Sequence, residues 1–420
     1  MTDLVADGWL IVADDLTGAA DCAIAFGRRG RAAAVTWGPV TDASDRRLPV
    51  LAYDAASRGL SAGDAARRHA EVLARLGLRG RRLFKKIDST LRGQPAAETA
   101  ATLAHLAQSG PAFGLFAPAF PATGRTTLGG RILVQGRPLE QAEVWQRDHT
   151  YANADLADVL ATAGIRTEKV ALAQVRTSGL RGTLARLAAE GNVIAACDAE
   201  TEHDLHLIAA ASRDIAPAPF FIGSAGLAHA LADLDAAGAV EPLQIPASAC
   251  GTLIVVGSLA GASRNAARAL QAGGTVKHFP VAPEMLLGQD DAVRTALAAG
   301  VATHLTQGGD ALVEITMTDH PDMRLGTQLA NALADALQAV SPAIGAFAAT
   351  GGETAAALLA RFGVNGIRLA DEIEPGVSLG LTLGQIAVPI ATKAGAFGDA
   401  HSLIRISERL RTIRTRGSFS

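Results

Sequence analysis

Aromatic residues make up only 4% of this 420-residue chain, and cysteine occurs three times, at Cys22, Cys197 and Cys250. With so few rings, a core has to be built from Ala, Leu, Val and Ile. The cysteines are odd in number, far apart and without a CxxC pair, so they read as reduced, buried thiols and not as a disulfide framework. No run of eighteen apolar residues exists, so no membrane-spanning helix is expected. The acidic start, Met1-Thr2-Asp3-Leu4, lacks the positive charge of a signal peptide, and a cytoplasmic location is the expectation. There is no basic excess either: the net charge is −3 and the pI about 6.4, which argues against nucleic acid as a partner. HExxH, zinc-type Cys/His spacing and a Gly-x-Ser-x-Gly elbow are all missing. His203 and His206 lie three apart with no third ligand near, so they read as ordinary surface or core histidines. Lysine is scarce as well, with five of the 38 basic residues, and this singles out Lys85, Lys86 and Lys393.

What is present is alternation. Short β-type runs such as Trp9–Ala13, Ala32–Trp37, Val50–Tyr53, Arg82–Ile87 and Gly114–Ala117 are separated by Ala/Leu-rich amphipathic stretches such as Ala62–Leu76 and Ala96–Gln108. This pattern predicts two layered α/β domains with mainly parallel sheets. The length exceeds one ordinary core. Residues 238–251, with Pro242 and Pro246, break the rhythm, which divides the chain into a domain over 1–240, a linker over 241–250 and a domain over 251–420. In the second half, strands are expected at Thr252–Val256, Thr303–Thr306, Ala311–Thr316, Ile344–Ala348, Gly366–Leu369 and Ile386–Pro389, with a long helix over Arg324–Val340. The arginine-rich stretch from Arg405 to Arg416 reads as a solvated helix end.

Polar residues gather where strands end, which is where open α/β sheets bind ligands. The first strand runs into Asp14-Asp15-Leu16-Thr17-Gly18. Capping of the next helix by Asp15 or Thr17 explains one acid but not both. A second carboxylate there can bind a hydroxyl or take its proton. The run Lys85-Lys86-Ile87-Asp88-Ser89-Thr90-Leu91-Arg92-Gly93 follows a strand and precedes a helix opened by Pro95, with Glu98 supporting that helix start. Its ammonium and guanidinium groups suit a carboxylate or phosphate, and Asp88 and Ser89 suit hydroxyls. A third strand-end loop carries Arg125 between Gly124 and Thr126. Together these residues describe a pocket for a small polyhydroxylated anion.

The second half has a different character. Thr350-Gly351-Gly352-Glu353-Thr354 lies at a strand-to-helix turn, where backbone N–H groups can approach a phosphate. No Gly-Lys-Ser/Thr follows, so this is not the Walker pattern. Gly257-Ser258 and Lys393-Ala394-Gly395-Ala396 also end strands. Three small-residue strand ends, one with a lysine, suit a nucleotide phosphate cradle.

The ordered set Ala13-Asp14-Asp15-Leu16-Thr17-Gly18-Ala19, Lys86-Ile87-Asp88-Ser89-Thr90-Leu91-Arg92-Gly93, Ala117-Pro118-Ala119-Phe120-Pro121 with Gly124-Arg125-Thr126, and Thr350-Gly351-Gly352-Glu353-Thr354 resembles the four-carbon acid sugar kinases. The Lys-Ile-Asp-Ser-Thr-Leu-Arg-Gly form is similar to the threonate and erythronate branch. The resemblance implies a sugar-acid-binding first domain, a nucleotide-binding second domain, an active-site cleft between them, and ATP-dependent phosphorylation of the 4-hydroxyl of a tetronate. On that reading Lys86, Asp88, Ser89, Arg92 and Arg125 bind the acid, and Asp14, Asp15 and Asp88 supply the catalytic carboxylates. Ser258, Gly351, Gly352, Glu353, Thr354, Lys393 and Gly395 line the nucleotide site. Mg2+ is expected with ATP, without a nameable ligand, and there is room for a homodimer. Two departures stand out: Gln94-Pro95-Ala96 where relatives often show Asn-Ile-Gly, and Ala394 and Ala396 where Ser and Gly are common. Rival readings are a 3-oxo-tetronate kinase, a non-catalytic sugar-acid and nucleotide sensor, and a dinucleotide-dependent dehydrogenase. The last should show a Gly-x-Gly-x-x-Gly turn, and the acidic first turn would repel a pyrophosphate.

Overall fold

The computed structural model describes residues 8–37, 48–238, 242–258, 260–288, 290–316, 325–393, 395 and 398–419. The chain divides into two compact units, Met1–Ala33 with Pro39–Ala239, and Ala34–Gly38 with Val240–Ser420. The first opens with β1 (Trp9–Ala13), α1 (Leu16–Gly27), β3 (Val50–Asp54), α2 (Ala62–Leu76), β4 (Arg82–Lys86), α3 (Pro95–Ala107) and β5 (Phe113–Ala117), while β2 (Ala33–Thr36) between α1 and β3 falls almost wholly in the second. Three short strands follow, β6 (Arg125–Leu128), β7 (Arg131–Val134) and β8 (Arg137–Pro138), then α4 (Glu143–Arg147), α5 (Leu156–Ala161), β9 (Thr167–Val170), α6 (Leu172–Val175) and α7 (Leu180–Glu190). β10 (Val193–Cys197), α8 (Glu202–Ser212), β11 (Phe220–Gly223) and α9 (Ala225–Leu234) complete it.

Its main sheet has the order β3-β1-β4-β11-β5-β10-β9, and every neighbouring pair is parallel. Strands such as WLIVA and VIAAC are buried throughout, as a sheet covered on both faces requires. Leu10, Val12, Leu51, Leu83 and Phe116 form a core with Val72 and Leu73 of α2. Around Trp9, the rings of Phe26 and Phe221 lie 4.8 and 5.6 Å away. In a parallel sheet all carboxyl ends share an edge. The register sets Ala13 between Asp54 and Lys86, so the loops after β1, β3 and β4 leave that edge side by side.

The second unit contains β12 (Thr252–Val256), α10 (Gly261–Ala272), β13 (Val276–Val281), α11 (Pro283–Leu287), α12 (Asp291–Thr306), β14 (Asp310–Ile315), α13 (Gly326–Leu337), β15 (Ala346–Thr350) and α14 (Gly352–Arg361). It ends with β16 (Val364–Glu374), β17 (Val377–Gly384), β18 (Pro389–Lys393) and α15 (Ser402–Arg416). Strands β13-β14-β12-β15-β18 are parallel, and β17 and β16 continue the sheet antiparallel. The early segment Ala34–Thr36 pairs antiparallel with Arg368–Gly366 of β16.

Several expectations are corrected. Thr303–Thr306 is the last turn of α12, because Ala298, Val301 and Leu305 bury one helical face and Asp290 caps the start. The strand expected at Ile386–Pro389 begins at Pro389, and β17 is an added strand that folds back through Pro375-Gly376. β6 and β7 form a hairpin where a plain loop was expected. The long helix covers Gly326–Leu337 and tightens into a 3-10 turn over Gln338–Ala343, while Arg324 lies outside the described residues. α15 is not a solvated end. Its Arg414 is buried, and Arg411 and Arg414 both hold Asp310, at 2.6 and 3.1 Å. Cys22 and Cys197 are buried free thiols, and Cys250 is half-buried.

Candidate active site

At the carboxyl edge of the first sheet, Asp14 directly follows β1 and is 1% exposed. Asp15 caps α1, accepting from the Gly18 N–H at 3.0 Å. Both carboxylates are held by Arg58, which lies in the loop after β3. Its Nε and Nη2 donate to the two oxygens of Asp14 at 2.8 and 2.9 Å, and its Nη1 donates to Asp15 at 2.7 Å. Its Nη2 also lies 3.9 Å from Asp88. Asp88 in turn receives a two-point contact from Arg92, at 3.1 and 2.8 Å, and accepts from the N–H and hydroxyl of Thr90. Two-point Arg–carboxylate pairs are the strong, directional kind.

Lys86 ends β4 beside Ala13, and a Cβ placed on Gly18 would lie 2.5 Å from its Nζ. A Cβ on Gly93 would lie 3.0 Å from Asp14 Oδ2. Glycine at both positions is what lets the β1 and β4 loops close on one another, and Gly93 also takes a left-handed φ of +79°. Ser89 is buried in the same loop. Arg125 starts β6, and the charges of Asp88, Arg92 and Asp21 act on it. The seven residues expected at the acid site, Asp14, Asp15, Lys86, Asp88, Ser89, Arg92 and Arg125, thus lie at or beyond the ends of β1, β4 and β5.

The electrostatics follow from burial and pairing. Burial pushes the Asp14 carboxyl up, but the Arg58 guanidinium, with Lys86 and Lys85, outweighs it and holds the pKa at about 2. Asp88 is held well below the usual range: burial raises it, and Arg92 and Arg58 overcome that. Asp54 behaves oppositely. Burial pushes it up to about 7, its hydrogen bond from Ala56 N–H opposes this, and the charges of Asp15 and Asp14 add to it. Arg58 and Asp54 were not singled out in the sequence. The signal was there, since Asp54-Ala55-Ala56-Ser57-Arg58 is one more polar loop after a strand. Glu98 does not support its helix start. Its carboxylate turns to Lys85 at 2.6 Å and Ser57 at 2.6 Å, and Tyr151 Oη takes the Ala96 N–H instead.

In the second unit, β12, β15 and β18 are adjacent and end together. Gly351 caps α14 with a φ of +91° and no side-chain cap, which leaves first-turn N–H groups pointing outward. Its own N–H donates to Lys393 O at 3.0 Å. A Cβ on Gly395 would strike Ser258 Oγ at 2.1 Å, and one on Gly257 would strike Thr354 Oγ1 at 2.1 Å. Ser263 donates to Gly395 O at 2.9 Å and receives Lys393 Nζ at 3.3 Å. Burial lowers the Lys393 ammonium to about 8, against the pull of Glu374 and Asp399. The edge thus gathers Ser258, Gly351, Gly352, Thr354, Lys393 and Gly395. Glu353 lies in the first turn of α14 and accepts from Thr327 at 2.9 Å. Ala394 and Ala396 lie outside the described residues.

A sugar-binding N-terminal domain family matches residues 9–231, and a nucleotide-binding C-terminal domain family matches residues 253–403. A D-threonate kinase of Cupriavidus necator is 42% identical over 404 residues, covering 94% of this chain and 96% of the relative. The chain belongs to the four-carbon acid sugar kinases. A D-threonate kinase of Bordetella bronchiseptica is 35% identical, with 96% and 98% covered. A solved structure from Salmonella typhimurium LT2 aligns with a TM-score of 0.79 at 22% identity, covering 96% of this kinase and 99% of that chain, a likeness of fold. Among the described residues of the kinase, no group of three or more His, Cys, Asp or Glu side chains could hold a metal ion, and no helix is long and apolar enough to cross a membrane.

Proposed function

We propose that this kinase transfers the γ-phosphoryl group of ATP to the 4-hydroxyl of D-threonate. The observation that carries the reading is the pair of strand-end clusters: acids and guanidiniums after β1, β3 and β4, and glycine-lined amides with a lysine after β15 and β18. The identity to the two D-threonate kinases supports that acid over its relatives.

In this reading Lys86, Arg92 and Arg125 hold the carboxylate and hydroxyls of the acid, with Ser89 as a further hydroxyl contact. Asp14, Asp15 and Asp88 orient the acceptor hydroxyl, and one of them receives its proton. Arg58 lowers the basicity of Asp14, as Arg92 does for Asp88. Positioning then outweighs base strength, which suits a phosphoryl transfer whose transition state needs little covalent help. The N-terminus of α14, with no side-chain cap, and the close packing of Gly351 and Gly395 against Ser258 fit a triphosphate. Ser258, Gly352, Glu353 and Thr354 complete that lining, and Lys393 neutralises phosphate charge. When bound, ATP supplies the phosphoryl group and Mg2+ neutralises its oxygens. Such a magnesium ion is held chiefly by phosphate oxygens and water. Transfer needs the hydroxyl against the γ-phosphate, so the proposal requires the units to bring both reactants together during turnover.

The test is ADP release measured with D-threonate, D-erythronate and 3-oxo-tetronates, with the product's phosphate located by NMR. Highest kcat/KM for D-threonate and a 4-phosphate product are expected. A preference for another acid would remove the substrate assignment, and no turnover with any of them would remove the kinase reading.

A further inference from the structure

Behind the acid cluster lies a second, buried polar group, which meets the expected site residues Asp14 and Lys86 only at their backbone oxygens. Glu98 is 1% exposed in the first turns of α3. Its Oε2 meets Lys85 Nζ at 2.6 Å, and its Oε1 accepts from Ser57 Oγ at 2.6 Å. Lys85 Nζ also donates to Lys86 O at 2.7 Å. His69 Nε2 is 3.5 Å from Glu98, but among the described residues neither ring nitrogen has a hydrogen-bond partner, and burial with Lys85 holds its pKa well below the ordinary value. His69 is therefore neutral, and among the described residues Lys85 is the cation paired with Glu98, whose carboxyl burial pushes up. An ion pair this deep gains little over well-packed apolar side chains, so stability alone does not account for it.

What the pair does hold is Ser57. That residue is fully buried, and its N–H donates to Asp14 O at 3.0 Å while its hydroxyl reaches Glu98. The next N–H, of Arg58, also donates to Asp14 O, at 3.2 Å. The β3 loop is thus pinned on one side to the end of β1 and on the other to α3. Arg58 emerges from that double anchor, and its guanidinium reaches Asp14 and Asp15.

We infer that Glu98 and Ser57 are positioning residues for the sugar-acid site: the Lys85–Glu98 pair fixes Ser57, and Ser57 fixes the Arg58 guanidinium on Asp14 and Asp15. The inference rests on the sugar-acid reading of that cluster. It makes α3 and the β4 strand end, through residues that never meet substrate, determinants of how the acceptor hydroxyl is presented.

The experiment is a double-mutant cycle on the full-length enzyme, with Ser57→Ala, Arg58→Lys and both together. A lost hydrogen bond to a charged acceptor predicts that Ser57→Ala lowers kcat/KM for the sugar acid about ten- to hundredfold. The KM for ATP should stay within about twofold, which sets this apart from general loosening. In the Arg58→Lys background, Ser57→Ala should change kcat/KM by less than about twofold, because its effect runs through Arg58. Undiminished kcat/KM in Ser57→Ala, or effects that multiply in the double variant, would overturn the inference. Should Ser57→Ala fail to fold by thermal melt, Glu98→Gln closes the same cycle with the same expectations. A wild-type enzyme that turns over no tetronate would overturn the substrate reading itself, and the inference with it.

Discussion

Asp14 and Asp54 are both buried at neighbouring strand ends, yet their carboxyls move in opposite directions. Asp14 has a guanidinium on both oxygens, and Asp54 has one backbone N–H. The difference has consequences for stability. Asp14 stays ionised down to about pH 2, so its contribution is full above the ordinary carboxylate value of 3.8 and is lost as pH falls through about 2. Asp54 keeps its proton to about 7 when folded but releases it near 3.8 when unfolded, so its burial costs stability increasingly as pH rises between those values. The limiting cost is on the order of 4 kcal/mol at 1.36 kcal/mol per pKa unit. Asp54→Asn should therefore raise Tm relative to wild type at pH 8 and raise it much less at pH 5. Equal shifts at both pH values would show that Asp54 is not protonated in the native state. Asp14→Asn should lower kcat about 10²–10⁴-fold while leaving ATP affinity nearly intact, measured by steady-state kinetics and calorimetry. Near-normal kcat would take Asp14 out of the reaction. The strand-end positions of Asp14, Lys86 and Asp88 were legible because charged residues gather where short β-type runs stop. The partner of each was not, since Arg58 lies 44 residues from Asp14 and nothing local announces that it folds back.

At the scale of elements, the β15–α14 turn concentrates its effect in Gly351 and Gly352, with Lys393 at the end of the neighbouring β18. A positive φ of +91° at Gly351 strains any other residue by about 1–2 kcal/mol. Gly352→Val should weaken ATP binding by calorimetry with sugar-acid binding unchanged, and unaltered nucleotide affinity would remove this turn from the site. Lys393, lowered to about 8 by burial, sheds its proton in the free protein as pH rises through that value. ATP affinity should then be flat below pH 8 and fall about tenfold per unit above it, and Lys393→Met should abolish that dependence. A slope that survives the substitution would assign it to another group. The same scale shows why Thr303–Thr306 misled: four residues of β-type composition cannot outweigh a sixteen-residue helix with a capped start and a buried stripe. Arg411 and Arg414 of α15 likewise read as solvated because their partner, Asp310, is about a hundred residues away. Arg414→Met should cost about 1.5–3 kcal/mol in urea unfolding, a lost hydrogen bond to a buried carboxylate that Arg411 still holds.

For the whole molecule, the second unit is not a simple C-terminal fragment. Its sheet takes Ala34–Thr36 from near the start of the chain onto the β16 edge. A fragment of residues 240–420 would leave that edge unpaired, and exposed edges invite association. Such a fragment should self-associate in size-exclusion chromatography, and a peptide of residues 32–38 should reduce it. A monodisperse fragment indifferent to the peptide would show that the strand is dispensable.

The sequence by itself determined the alternating α/β build, the parallel strands and the chemistry of the loops that follow them, because period, propensity and turn residues act over a few neighbours. Only the tertiary structure decided which cation faces which acid, that Glu98 serves Lys85 and Ser57 and not its own helix end, and that an early strand joins a late sheet. Those pairings depend on strand order and register, and residues far apart in the chain meet only once the sheets have closed.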